Sequence, residues 1–109
     1  MLVELDIFSG QPNPRFELDE QSTETLRQLL TRLALVAESP PEPPGLGYRG
    51  FLLTDGAGQS RAYRGHVTRP DGVYADPGSS VERFLRDRIP PEYQELRRRI
   101  TIEGEIRGS

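Results

Sequence analysis

Few side chains in this sequence are equipped for covalent chemistry. His66 is the one imidazole, and cysteine and lysine are both absent. Thiol nucleophiles, Schiff-base lysines, cysteine-ligated zinc and P-loop lysines are therefore excluded. A serine nucleophile needs a base within hydrogen-bond reach, which makes Ser9 and His66 the pair to consider. Ser9 lies in FSGQP, which carries only one of the two glycines of a G-x-S-x-G elbow. A small hydrolase using Ser9 and His66 is one reading, and an ordinary packed or solvated strand-end histidine is the other. Asp55 in TDGAG lacks the alternating carboxylates of a calcium loop and reads as a hairpin turn. Asp71, Asp76 and His66 share no ligand spacing and meet at a metal only if the fold brings them together. The sequence thus assigns no catalytic residue, no metal site and no cofactor.

Recognition chemistry is better represented. In FSGQPNPR, Gly10, Pro12 and Pro14 set the backbone, and Asn13, held extended by the proline after it, can cap a turn or face a partner. A stiff loop loses little entropy on binding, but a tight strand-to-helix corner needs the same stiffness. Ser9, Asn13 and Arg15, joined by Tyr48, Arg49 and Tyr63, form the candidate surface for a protein or peptide. Exposed sheet edges offer a second mode, because an extended peptide can pair with an unpaired strand. A competing reading uses Tyr48, Arg49, Arg61, Tyr63 and Arg64 to stack and clamp nucleic acid. YRGF echoes the opening of an RNA-recognition motif, and Leu52 and Leu53 break the echo. Cross-strand pairing of large residues on a solvated face accounts for the same side chains.

The charge balance bears on that choice. The net charge is −3, which argues against nonspecific nucleic-acid binding. It is unevenly spread: residues 1–60 hold nine acids and four arginines, and residues 61–109 hold eight acids and ten arginines. All 14 cationic side chains are arginine, in a chain also rich in Ala, Gly and Pro, which points first to GC-rich coding. No apolar run approaches the roughly 18 residues of a membrane span, and MLVELDIF lacks the basic flank of a signal peptide. The expectation is a single cytoplasmic domain over residues 1–109, with a tail from about 103 that frays or adds an edge strand.

The elements that must position these residues follow from periodicity. Val3, Leu5 and Ile7 alternate with Glu4 and Asp6, which predicts a first strand. Leu26, Leu29, Leu30 and Leu33 make a helical stripe, predicting a helix over about 20–36 with Asp19 as N-cap. Pro40, Pro41, Pro43 and Pro44 end it in a stiff connector. Strands are predicted over about 48–53 and 60–67, joined across DGAG, and over 72–76 after RPDG. Ser79 or Ser80 then caps a helix carrying Val81, Phe84, Leu85 and Ile89, which Pro90 ends. Pro91 opens another helix with Tyr93, Leu96 and Ile100 on one side and Arg97, Arg98 and Arg99 near its C-terminal end. The fold class is α+β, with a small antiparallel or mixed sheet of three to five strands and one long and two short helices on one face.

Two segments, FSGQPNPRFEL and PPGLGYRGF, resemble a pattern in an uncharacterised family of small bacterial proteins: Ser-Gly-x-Pro-Asn-Pro, an aromatic and a leucine, then Gly-Leu-Gly-Tyr-x-Gly-Phe. Phe16 stands where tryptophan is as frequent, and Gln11 where arginine is common. The resemblance brings no activity. It implies that the corner and the second strand pack as one unit, with Phe16 or Leu18 near Tyr48 and Phe51. Together these readings describe a non-catalytic binding or accessory module for a protein or peptide, with nucleic-acid binding as the alternative.

Overall fold

The computed structural model describes residues 1–8, 12–45, 47–100 and 102. Val3 and Leu5 turn inward from β1 (Leu2–Leu5), and the chain folds back through the proline loop into β2 (Arg15–Glu17), which pairs antiparallel with it. Pro12–Pro14 therefore lead into a strand that returns along β1, and not directly into a helix as expected. Asp19 caps α1 (Glu20–Thr31), its Oδ1 accepting the Ser22 N–H at 2.7 Å. That bond also holds the Asp19 carboxyl below its ordinary value.

The helix stops five residues earlier than its leucine stripe suggests, since residues 34–36 form β3 (Ala34–Val36) against β7. Ala, Leu and Val suit either state locally, and pairing with a distant strand decides between them. β4 (Phe51–Asp55) and β5 (Gly58–Tyr63) make the expected hairpin. The expected strand over 60–67 is broken at Arg64 and Gly65, whose φ values of 50° and 77° form a two-residue turn into β6 (His66–Arg69). This is the hand that matches strand twist, and arginine at its first position hides it from a search for Asn-Gly. β7 (Gly72–Ala75) completes a seven-stranded antiparallel sheet in the order β2-β1-β4-β5-β6-β7-β3, larger than the three to five strands expected.

A short 3₁₀ turn (Pro77–Ser79) leads into α2 (Ser80–Arg86), which ends before Ile89. Ser79 stands at its N-cap position, as expected, but without a side-chain capping bond; Asp76 supplies those bonds, its Oδ1 accepting from Ser80 N and Oγ and its Oδ2 from Val81 N at 2.9 Å. Residues Pro91–Arg99 are 3₁₀ rather than α-helical. Among the described residues the architecture is thus α+β, with three helices and one sheet. The tail from 103 lies outside the described residues, and Ile102 is buried.

Register sorts the side chains into two faces. Leu5, Phe51, Ala62, Val67, Tyr74 and Leu35 are successive cross-strand partners. The first four are fully buried and pack with Val3, Leu26, Leu30, Val81 and Leu85 in one core. Each fully buried large side chain contributes about 1.5–3 kcal/mol. The opposite face carries the row Arg15, Glu4, Leu52, Arg61, Thr68, Val73 and Val36.

Candidate functional site on the outer sheet face

β1 continues its alternation one step beyond the strand, so Asp6 joins Glu4 on the outer face. Around these two carboxylates the chain gathers both of its unusual segments. Asn13 Oδ1 accepts the N–H groups of Ile7 (3.1 Å) and Phe8 (2.8 Å). Its Nδ2 donates to Glu4 Oε2 at 2.9 Å and Asp6 Oδ1 at 3.2 Å. Arg15 Nε donates to Glu4 Oε1 at 3.0 Å. Arg49 pairs with Asp6 at 3.0 Å and donates to Phe8 O, while Arg61 Nη1 donates to Asp6 Oδ2 at 2.8 Å and to Arg49 O. The backbone closes the same knot, with Asp6 N–H to Gly50 O and Arg49 N–H to Asp6 O. Three guanidiniums thus surround two carboxylates. Arg49 Nε is buried with no hydrogen-bond partner among the described residues.

Tyr48 and Tyr63 stand edge-to-face with centroids 5.8 Å apart, and each ring is only 8 % exposed. Tyr48 Oη donates to Glu82 Oε2 at 2.5 Å, tying the stretch before β4 to α2, and Gly65 N–H reaches Glu82 Oε1. Glu82 is 1 % exposed. Burial raises its carboxyl above the ordinary value, opposed by the Tyr48 and Gly65 hydrogen bonds and assisted by the nearby Asp76 charge. Burial, then the Glu82 charge, pushes the Tyr48 phenol well up. Gly50 makes this packing possible. Its φ is +96°, and a Cβ there would collide with Ala62 O and lie 2.8 Å from Tyr63 Cβ.

Beside the network the proline connector arches over β5 and β6. Pro40, Pro41, Glu42 and Pro43 face Arg61, Tyr63 and Thr68 across a groove of about 280 Å³ with mostly apolar walls. That volume sits at the lower limit of small-molecule sites, enough for one or two side chains rather than a large cofactor. His66, on the same face, meets Glu38 Oε1 through Nε2 at 3.2 Å and Arg64 O through Nδ1 at 3.2 Å.

Of the residues singled out in the sequence, Asn13, Arg15, Arg49, Arg61 and Tyr63 converge here, with Tyr48 behind them. Ser9 lies outside the described residues. The convergence is built mainly from intramolecular bonds. Sequence reasoning missed Glu4 and Asp6 at the centre of the network and Thr68 with the prolines around the groove. The alternation of Glu4 and Asp6 on the wet side of β1 was the available signal. Asp71 accepts from Tyr74 Oη at 2.9 Å, Asp76 caps α2 and His66 faces Glu38, so the three suggested metal ligands have separate partners. Among the described residues no group of three or more His, Asp or Glu is arranged to hold a metal, and no helix is long and apolar enough to cross a membrane. No protein-family model, curated protein or solved structure matches the chain.

Proposed function

We propose that the protein is a non-catalytic accessory module that captures an extended segment of a protein partner on the outer face of its sheet. The groove between the proline connector and Arg61, Tyr63 and Thr68 carries this reading. Both walls are stiff, one through prolines and the other through strand pairing, so little entropy is lost on occupancy. The walls suit an apolar side chain, with Arg61 and Glu42 as polar markers at the rim. Arg15, exposed on the same face beside Glu4, extends the surface toward the Ser9–Arg15 loop, with Asn13, Tyr48 and Arg49 holding it in shape. A cytoplasmic location and kinship with the bacterial family that the two motifs resemble accompany this reading.

The alternative, a nucleic-acid face using Tyr48, Arg49, Arg61, Tyr63 and Arg64, has less support. Bases stack on exposed rings, and both tyrosines are buried against each other. Arg49 and Arg61 already share Asp6. Hydrolysis through His66 is also weakly supported, because both ring nitrogens are engaged within the chain.

The test is selection of displayed peptides on the immobilised protein, followed by titration against the wild type and Thr68→Trp, which fills the groove from a strand position. Selected peptides should bind the variant at least roughly tenfold more weakly, with little salt dependence. Equal binding to Thr68→Trp, or failure to enrich any peptide, overturns the proposal.

A further inference from the structure

The proline connector arches over the groove with little to fasten it there. Among the described residues from 37 to 47 the chain joins no strand, and Pro40, Pro41, Pro43 and Pro44 have no N–H to donate. Among the described residues, the one side-chain hydrogen bond from this stretch to the sheet is that between Glu38 Oε1 and His66 Nε2, at 3.2 Å. His66 and Thr68 share a face of β6, so the bond fastens the arch beside the groove wall. The other ring nitrogen determines what this fastening requires. Nδ1 lies 3.2 Å from the Arg64 carbonyl oxygen. A carboxylate and a carbonyl only accept, and a neutral imidazole has one N–H to give. Both contacts are hydrogen bonds only when the ring carries two protons and a positive charge.

We propose that the connector is a pH-sensitive strap over the groove, clasped shut when His66 is protonated and released when it is neutral. Imidazole changes charge between about pH 5 and 8. Its proton creates the ion pair with Glu38 and satisfies both oxygens; loss of the proton removes the ion pair and turns one nitrogen lone pair toward an oxygen. The surroundings of the ring offer no second clasp. β5 presents Arg61 and Tyr63 on this face, with Arg64 at the turn, and β7 presents Ala75, the cross-strand partner of His66. The connector's other acid, Glu42, lies at the groove opposite Arg61. Glu82 and Asp76 act on the turn through Gly65, Glu82 accepting its N–H and Asp76 N–H donating to its carbonyl. The Glu38 side chain is 63 % exposed, so water screens the pair, and the closed-to-open ratio should change by roughly fivefold rather than by orders of magnitude. The groove has both walls only while the strap is shut. Peptide capture should therefore be tighter at acid pH by up to the same factor, a consequence that rests on the function proposed above.

Paramagnetic broadening in nuclear magnetic resonance spectra tests the strap without any peptide. Because the chain has no cysteine and one histidine, a nitroxide can be placed at one site and the His66 ring followed in the same sample. The label goes on Gln59→Cys, exposed on β5 and on the same face as Arg61, and the readout is the broadening of the Ser39 and Glu42 amide signals. Broadening should be strong at about pH 5.5 and weaken toward about pH 8 in step with the His66 ring signal, the closed-to-open ratio falling roughly fivefold. Glu38→Gln, a change on the exposed connector that leaves the sheet intact, should give weak broadening at both pH values. His66→Arg, a permanent cation, should keep it strong at both. A strap that opens with pH in a protein that captures no peptide upholds this inference and refutes the capture function alone. Connector broadening that stays constant while His66 titrates, or a pH response that survives in Glu38→Gln, overturns the proposal.

Discussion

Replacing Asn13 by alanine tests whether the proline loop is held by the outer-face network. The substitution removes four hydrogen bonds: two from the Ile7 and Phe8 N–H groups and two to the Glu4 and Asp6 carboxylates. All four are partly buried, so water replaces them incompletely. At about 1 kcal/mol for each stranded N–H and somewhat less for each carboxylate that water can reach, the loss is about 3 kcal/mol. A domain of this size loses about 5 °C of Tm per kcal/mol, so Tm should fall by about 15 °C. Global stability of about 5–15 kcal/mol leaves the variant folded. Urea titration followed by circular dichroism gives the free energy, and calorimetry the Tm. Asn13→Asp sharpens the test, because it keeps an acceptor for the two N–H groups but sets a third carboxylate against Glu4 and Asp6. Its deficit relative to the wild type should shrink as added salt screens the like charges. A loss below about 1 kcal/mol in Asn13→Ala, or an Asn13→Asp deficit independent of salt, would refute the reasoning.

The remaining predictions concern the Tyr48 brace. Burial raises the Glu82 carboxyl in the folded chain, so the native state holds this proton more tightly than the unfolded state does. The associated stability is fully present below the unfolded value, about 4.3, and is lost as pH rises through the raised folded value. Glu82→Gln can still accept from Gly65 N–H and meet Tyr48 Oη without a charge, so its stability between pH 4 and 8, measured by urea unfolding, should decline less than that of the wild type. Parallel profiles would contradict this. The raised Tyr48 phenol adds an alkaline counterpart, a fall in stability above about pH 10, where the unfolded tyrosine ionises first. Gly50→Ala should cost at least about 3 kcal/mol, since a Cβ at φ +96° meets the Ala62 carbonyl and Tyr63 Cβ, neither of which can swing away. A Tm within a few degrees of the wild type would show that β4 and β5 yield there.

Much of the local structure was legible in the residue order because it depends on near neighbours. The alternation in β1, the leucine stripe and Asp19 cap of α1, and the glycine-rich turn between β4 and β5 are short-range signals with one dominant solution. The absence of cysteine and lysine settled which chemistries the chain lacks before any fold was known. Only the tertiary structure decided the identity of β3, because Ala34–Val36 becomes a strand by pairing with β7 across the chain. It also decided that Asn13, Arg49 and Arg61 meet at Asp6, since a carboxylate selects partners by distance in space and not by separation in sequence. The same holds for Tyr48 and Tyr63, whose rings read as exposed beside arginines but lie buried against each other once Gly50 lets the strands close. Periodicity assigns a residue to a face of its own element; whether that face meets water or protein depends on what packs across it.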